Sequence, residues 1–324
     1  MSWTKSKIGD ILTLKRGYDL PKASRTLGEI PVVSSAGVTD YHNKVKKSGQ
    51  GVITGRYGTL GKVFYVEGNY WPLNTTLYIK DFKGNDPKFI YYFLKTLRLE
   101  RFNGAAAVPG LDRNILHKIE VSYTKDINIQ KKIASILTAY DDLIENNNQR
   151  IKLLEEMAEE IYKEWFVRLR FPGFETTKFF DKAGNEVPHG TTGALPEGWE
   201  LKNADKFESF SISKSKLSKF QGEKTYFATA DISGIKIDSE GEVINWDNKP
   251  SRAQLKPELY SVFFARMSQT YKVLGFSEAN SDLIDTIALS SGFMGLKALN
   301  QLCFAFLFST IKGDYFHKSK DVFA

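Results

Sequence analysis

Between residues 126 and 169 the apolar positions fall into a heptad register that never slips: DINIQKKIASILTAYDDLIENNNQRIKLLEEMAEEIYKEWFVRL. Leu137, Ile144, Ile151, Ala158 and Trp165 occupy one seam position, and Ile133, Tyr140, Asn147, Leu154 and Ile161 the other. No Gly or Pro interrupts the segment, so the pattern predicts a helix of roughly 60 Å at about 1.5 Å rise per residue. Asp126 or Asn128 is suited to cap its first amides, and the Phe171-Pro172-Gly173 run to stop it, since proline disfavours helical geometry in the residue before it. Asn147 lies in the seam with Asn146 and Asn148 beside it. A polar seam residue fixes register or partner number at some cost in stability. The other reading is a helical hairpin turning at the three Asn, which the unbroken seam disfavours. A rod of this kind needs something to pack against.

On either side the period changes. Residues 30–33, 51–54, 62–66 and 76–79 are short β-rich runs separated by Gly, Asn and Asp clusters, whereas 87–97 opens with Pro87 and carries apolar residues at helical spacing. After the rod comes a stretch rich in Gly, Thr and mixed charge, and then residues 195–199 (LPEGW) open a second region. That region echoes the first. Trp3 and Trp199 each stand at a start, residues 30–34 are answered by 225–229, and a Phe-rich helix candidate spans Leu302 to Ile311. The expected architecture is α+β: two α/β domains, 1–124 and 195–324, joined by a long coiled-coil-like helix over 125–170 and a connector over 171–194. No second rod follows the second copy, so that copy is expected to be incomplete.

A chain of 324 residues with 42% hydrophobic content has material for two real cores. The longest apolar run, near Leu302 to Phe308, is too short to cross a bilayer, and the N-terminus lacks a signal peptide's apolar region. The single cysteine, Cys303, excludes an internal disulfide framework, and the expected location is the cytoplasm, with no membrane partner. Net charge is +7, but residues 1–124 hold 19 Lys+Arg against 10 Asp+Glu, leaving −2 for the remainder. The basic excess belongs to the first region. Such an excess is the footprint of a surface facing phosphates, or an ordinary solvated basic surface.

Residues 55–62 (GRYGTLGK) invite a phosphate-loop reading. The spacing between the first Gly and the Gly-Lys pair is one residue too long, and Val63 stands where Ser or Thr would hold Mg²⁺. A tight turn between strands fits better, its glycines allowing close backbone approach to a partner while Arg56, Tyr57 and Lys62 project nearby. His42, His117, His189 and His317 are scattered, without carboxylate or cysteine at ligand spacing. No nucleophile elbow, zinc-protease helix or methyltransferase amine-holding motif is present, and the carboxylate pairs Asp141-Asp142 and Glu155-Glu156 lie on the rod as solvated charge. No catalytic or metal site is expected.

Taken in order, residues 58–63 (GTLGKV) with Trp71 and Asn74, the Gly-containing segment from Phe102 to Ile119, residues 129–137 (IQKKIASIL) leading into 141–145 (DDLIE), and the LPEGW opening resemble the specificity subunit of Type I restriction-modification systems. The resemblance covers nearly the whole chain. It implies two target recognition domains that each read half of a split site in double-stranded DNA, and two long helices that pack antiparallel and set the spacing. It implies methylation subunits docked on the helices with S-adenosylmethionine, restriction subunits using ATP and Mg²⁺, and no chemistry or cofactor in the specificity chain itself. In one respect the sequence departs: only one long helix is present. A C-terminally shortened subunit is therefore expected, its seam residues from Ile133 to Trp165 pairing with a second specificity chain or serving subunit docking.

Candidate DNA contacts are Lys15, Arg16, Lys22 and Arg25 after the first element, Ser34 and Ser35 after a strand, Arg56, Tyr57, Lys62 and Asn74 around the Gly turn, and Arg113 and Asn114 before the last strand. Arg and Asn suit bidentate reading of guanine and adenine. The competing classes are a coiled-coil scaffold that binds no nucleic acid, and a defective or regulatory shortened specificity subunit. A stand-alone nuclease is disfavoured, because no acidic metal cluster is visible from spacing.

Overall fold

The computed structural model describes residues 3–102, 110–202 and 207–323. It divides into two compact units, one up to Gln149 and one from Arg150 onward. Residues 103–109, the middle of the Gly-containing segment noted above, lie outside the described residues. No helix among those described is long and apolar enough to cross a membrane.

In the first unit the strands Thr13–Arg16, Thr76–Asp81, Gly51–Gly55 and Val63–Val66 form an antiparallel sheet in that spatial order. Alternation of side chains along each strand gives the sheet two apolar faces. Val52, Leu77 and Ile79 meet Ile8, Phe89 and Ile90 of the helical layer. Ile53 and Tyr78 meet Val33 and Tyr70 on the other face. A smaller sheet supplies Val33, with Ile30–Ser34 between Gly37–His42 (antiparallel) and Trp71–Pro72 (parallel). The helix Pro87–Thr96 begins as its sequence suggests, with Asp86 Oδ1 accepting from the Phe89 amide (2.8 Å) and Pro87 at its first position. Thr4–Lys7 pairs with Glu120–Tyr123, just before the long helix.

The second unit repeats this plan. Phe210–Ile212, Phe293–Ala298, Ser261–Ala265 and Val273–Phe276 form one sheet. In the other, Lys224–Phe227 is flanked by Glu242–Ile244 (antiparallel) and Ile287–Ser290 (parallel), with Ala253–Leu255 at the edge. The first of these sheets repeats the strand order and pairing sense of the first unit's larger sheet, and Glu242–Ile244, Lys224–Phe227 and Ile287–Ser290 repeat those of its smaller sheet with Ala253–Leu255 added, so the echo between residues 30–34 and 225–229 marks equivalent strands. The Phe-rich helix is Gln301–Lys312, capped by Asn300, whose Oδ1 accepts from the Cys303 amide (3.0 Å). A further helix, Asp314–Phe323, follows.

The long helix runs unbroken from Ile127 to Tyr162, through Asn146, Asn147 and Asn148, so the hairpin alternative is overturned. Asp126 is its cap: Oδ1 accepts from the Asn128 amide (2.8 Å). Its end differs from expectation. It leaves α-geometry at a π-turn, Lys163–Val167, where the Arg168 amide reaches the Lys163 carbonyl (2.8 Å), and Leu169 turns left-handed at φ 55° before Pro172 is reached. The cause is lateral. Phe166 lies edge-on to Phe306 (centroids 4.7 Å apart) and near Trp199 (5.9 Å), and the Tyr162 and Thr310 hydroxyls are hydrogen-bonded at 3.0 Å.

At the other end, Gln130 and Ala134 are buried and Ile133 packs against the core of the first unit. Along the remaining seam Tyr140, Ile144, Ile151, Leu154 and Ile161 are each half or more exposed. Leu137, Asn147, Ala158 and Trp165 are exposed as well. The connector is not structureless: Phe179–Phe180 pairs with Glu186–Val187 and Leu195–Pro196 around a buried Phe179, so residues 195–196 complete this small sheet.

Candidate nucleic-acid interface

One end of the first unit's sheet gathers residues that are far apart in sequence. Tyr18 joins the chain there because its amide donates to the Pro72 carbonyl (2.8 Å), and Gly17 allows the approach: a Cβ on it would lie 2.1 Å from the Leu73 carbonyl oxygen. Asn74 Nδ2 donates to Asp19 Oδ1, and Arg16 pairs with the same carboxylate at 3.5 Å. The next residues lead into the Gly turn, where the amides of Arg56 and Tyr57 both donate to the Thr75 carbonyl (2.8 and 3.2 Å). The Arg56 guanidinium stands over Tyr57, 4.4 Å from its ring centre.

The turn is built for proximity. Gly58 and Gly61 have positive φ, and a Cβ on Gly55 would meet the Thr59 carbonyl oxygen at 1.9 Å and Ser35 Cβ at 3.1 Å. Ser34 shapes the neighbouring turn by accepting from the Ala36 amide (3.1 Å) and donating to the Gly37 carbonyl (3.2 Å). Arg16, Ser34, Ser35, Arg56, Tyr57 and Asn74 are thus linked at one end, and the exposed Lys62 closes the same loop.

On the adjoining sheet face lies a cluster of which sequence reasoning named only Lys15. Lys46 stands 4.5 Å above the Tyr18 ring and 5.0 Å above Trp71, Lys15 is 5.8 Å from the Tyr18 ring, and Lys47 is 5.2 Å from Tyr78. The two phenols are 2.9 Å apart. Burial pushes Tyr78 well above the usual tyrosine range. The hydrogen bond between them, and then the charges of Lys47, Lys15 and Lys46, draw Tyr18 below the usual range. Burial likewise pushes the nearby Tyr70 phenol up to about 12. None of the three lysines forms an ion pair among the described residues, so their charge is available to an anion. The available signal was the basic run Lys44-Val45-Lys46-Lys47. What it lacked was the pairing of Lys47 with Tyr70, which folds that run onto the tyrosines.

Other candidates are placed differently. Arg25 is a holding residue: its guanidinium pairs with Asp40 (2.8 Å) and donates to the Leu20 carbonyl, and the pairing keeps the Asp40 carboxyl below its usual range. Its side chain is only 12% exposed, and these bonds anchor the loop. Lys22, in the short 3₁₀ turn Lys22–Ser24, is exposed nearby. The Leu111 amide donates to the Arg56 carbonyl (2.9 Å), which brings the start of the helix Arg113–Lys118 to the Gly turn. The Asn114 amide donates to the capping Asp112. The helix then leads away to His117, whose Nε2 accepts from the Leu14 amide (2.9 Å).

Two α+β units of related strand plan, the first presenting a cationic and aromatic loop end, define a class of protein suited to binding an anionic polymer. Comparison with known proteins makes the class specific. Residues 1–156 match the family described as the Type I restriction modification DNA specificity domain. A Type I restriction enzyme specificity subunit of Methanocaldococcus jannaschii is 28% identical over 199 residues, 57% of this chain and 43% of that protein. A type I specificity subunit of Mycoplasma genitalium is 30% identical over 169 residues, 49% of this chain and 43% of the relative. These matches span less than half the length of either relative. The crystal structure of the S subunit of a Type I restriction-modification system from M. genitalium superposes with a TM-score of 0.58 over 99% of this chain and 79% of that one, at 18% identity, and shares its fold. Residues 1–156 are thus similar to the Type I restriction modification DNA specificity domain, and the fold is similar to that of a solved S subunit.

Proposed function

We propose that this chain directs a modification and cleavage assembly to particular sequences in double-stranded DNA and performs no chemistry of its own. The observation that carries the proposal is the gathering of Lys15, Lys46 and Lys47 around Tyr18 and Tyr78, beside the Arg16, Asn74, Arg56 and Tyr57 loops. Cations without internal partners supply phosphate affinity, which positions the protein, and Arg and Asn on tight loops supply base-edge reading. A scaffold that binds no nucleic acid would need neither.

The exposed seam from Tyr140 to Ile161 serves as a protein docking surface for methylation subunits, with a second specificity chain as the competing occupant. On this reading S-adenosylmethionine, ATP and Mg²⁺ belong to the methylation and restriction subunits, and the domains are 1–124 and 195–324 about the spacer 125–170. Co-expression with methylation subunits, followed by mapping of methylated adenines, tests the proposal. New methylation at one shared motif is expected. A soluble, co-purifying complex that adds none contradicts it and favours a defective or regulatory subunit.

A further inference from the structure

The two units share more than strand order. In the first, residues 56–62 connect Gly51–Gly55 to Val63–Val66; in the second, residues 266–272 connect Ser261–Ala265 to Val273–Phe276. The loops have equal length, each begins with arginine, and each ends with Lys-Val at the next strand: GRYGTLGKV against ARMSQTYKV. Their frames share the bonds at the arginine. The Gly55 amide donates to the Lys62 carbonyl (3.2 Å) as Ala265 does to Lys272 (3.0 Å). The Arg56 amide donates to the Thr75 carbonyl (2.8 Å) as Arg266 does to Gly292 (3.0 Å). Gly55 faces Thr76 across the sheet as Ala265 faces Phe293. Arg56 and Arg266 therefore leave equivalent strand ends at equivalent backbone positions.

What holds the loops differs. The first uses Gly58 and Gly61 at positive φ, whereas the second has no glycine and places Gln269 at φ 53°. The helix Asp314–Phe323 supports that geometry. Asp321 Oδ1 accepts from the Gln269 amide (2.9 Å), and Lys320 Nζ donates to the carbonyls of Ala265 (3.2 Å), Met267 (2.9 Å) and Thr270 (2.8 Å). Lys320's side chain is 8% exposed. Two of its three carbonyl partners, those of Ala265 and Met267, flank Arg266. Arg266 itself is exposed and has no ion-pair partner among the described residues.

We infer that Arg266 is a specificity-determining residue of the second unit, matched to Arg56 in the first, that reads a guanine edge in duplex DNA, and that Lys320 is its positioning residue. A buried ammonium that fixes the carbonyls on both sides of an arginine, in a loop without glycine, limits the directions that arginine can take. That limitation is what bidentate reading of guanine O6 and N7 needs. The inference rests on the DNA-recognition reading above.

The test is selection of duplexes from a random library by the full chain in complex with its methylation subunits, followed by sequencing, for wild type, Arg56→Gln, Arg266→Gln and Lys320→Met. Arg266→Gln is expected to lower the preference for guanine at one position about tenfold or more and to leave the Arg56-dependent position unchanged. Arg56→Gln should do the converse. Lys320→Met should blur the Arg266 position alone, whereas unfolding of the second unit would abolish every preference that unit supplies, and Lys320→Arg should restore part of it. Unchanged preference in Arg266→Gln, or a uniform loss of affinity without a change in preference, overturns the inference. A wild-type complex that enriches no sequence overturns the DNA-recognition reading itself.

Discussion

Gln130 is the most consequential polar residue in the long helix, and its replacement by alanine has a calculable effect. The side chain is fully buried. Its Nε2 donates to Asn85 Oδ1 (2.7 Å) and to the Thr124 carbonyl (2.8 Å), and its Oε1 accepts from the Asp86 amide (2.9 Å), one residue before the helix Pro87–Thr96. One side chain thus ties the first turn of the long helix to a helix cap and to the strand before it. Gln130→Ala removes three hydrogen bonds worth about 1 kcal/mol each and strands the Asp86 N–H in the interior, so a loss of about 3 to 4 kcal/mol is expected. Against a typical total of about 5 to 15 kcal/mol this is large, and at about 2 to 4 °C per kcal/mol it lowers the melting temperature by roughly 10 °C. Urea unfolding of the full chain, followed by far-ultraviolet circular dichroism, reads the change. Gln149→Ala is the control, because its bond to Glu145 (2.9 Å) lies on an exposed face and its loss should cost under about 0.5 kcal/mol. A Gln130→Ala variant within about 1 kcal/mol of wild type would refute the idea that this network docks the helix.

The remaining predictions concern the loop end and its support. Gly17→Ala should cost about 2 to 3 kcal/mol and weaken duplex binding, since the new Cβ would sit 2.1 Å from the Leu73 carbonyl oxygen and push Tyr18 from Tyr78; native-like stability and affinity would contradict this. His117 must be neutral to accept from the Leu14 amide, and burial, then Arg113 and Lys83, hold its pKa below the ordinary 6.5. Below pH 6.5 the unfolded chain therefore takes up the proton first, so stability is full above that pH and falls as pH drops toward the lower folded value. His117→Gln should flatten this part of the stability profile in a pH series of urea titrations, and an unchanged slope would count against the assignment.

How much of this was legible in the sequence depends on how local the cause is. The long helix was readable in register because helical periodicity is written in neighbours three and four apart. Its end was not, because the π-turn is set by Phe166 and Tyr162 against Phe306 and Thr310, about 140 residues away in the chain. The strands containing Val52 and Leu77 were visible as β-rich runs, but the two-residue strand at Phe179 carries no periodicity to read. Arg56, Asn74 and Ser35 could be nominated from turn chemistry, whereas Lys46 and Lys47 acquire their place only when Lys47 pairs with Tyr70. The pairing of Arg25 was hidden for the same reason, its partner Asp40 lying beyond the strand Ile30–Ser34. The repetition of Arg56 by Arg266 was present in the sequence as an equal spacing to the following Lys-Val, and became decisive only with the shared backbone bonds.

The measurement that bears most directly on the account is the affinity of the full chain for duplex DNA as a function of salt, wild type against the Lys15→Ala/Lys46→Ala/Lys47→Ala triple variant. Phosphate contacts release counterions, so log affinity should fall linearly with log salt, and removal of the three lysines should reduce the slope by about 2 to 3, at roughly 0.9 per contact. Wild-type binding that is absent or insensitive to salt, or a triple variant with the wild-type slope, would contradict the claim that this end of the first unit faces DNA.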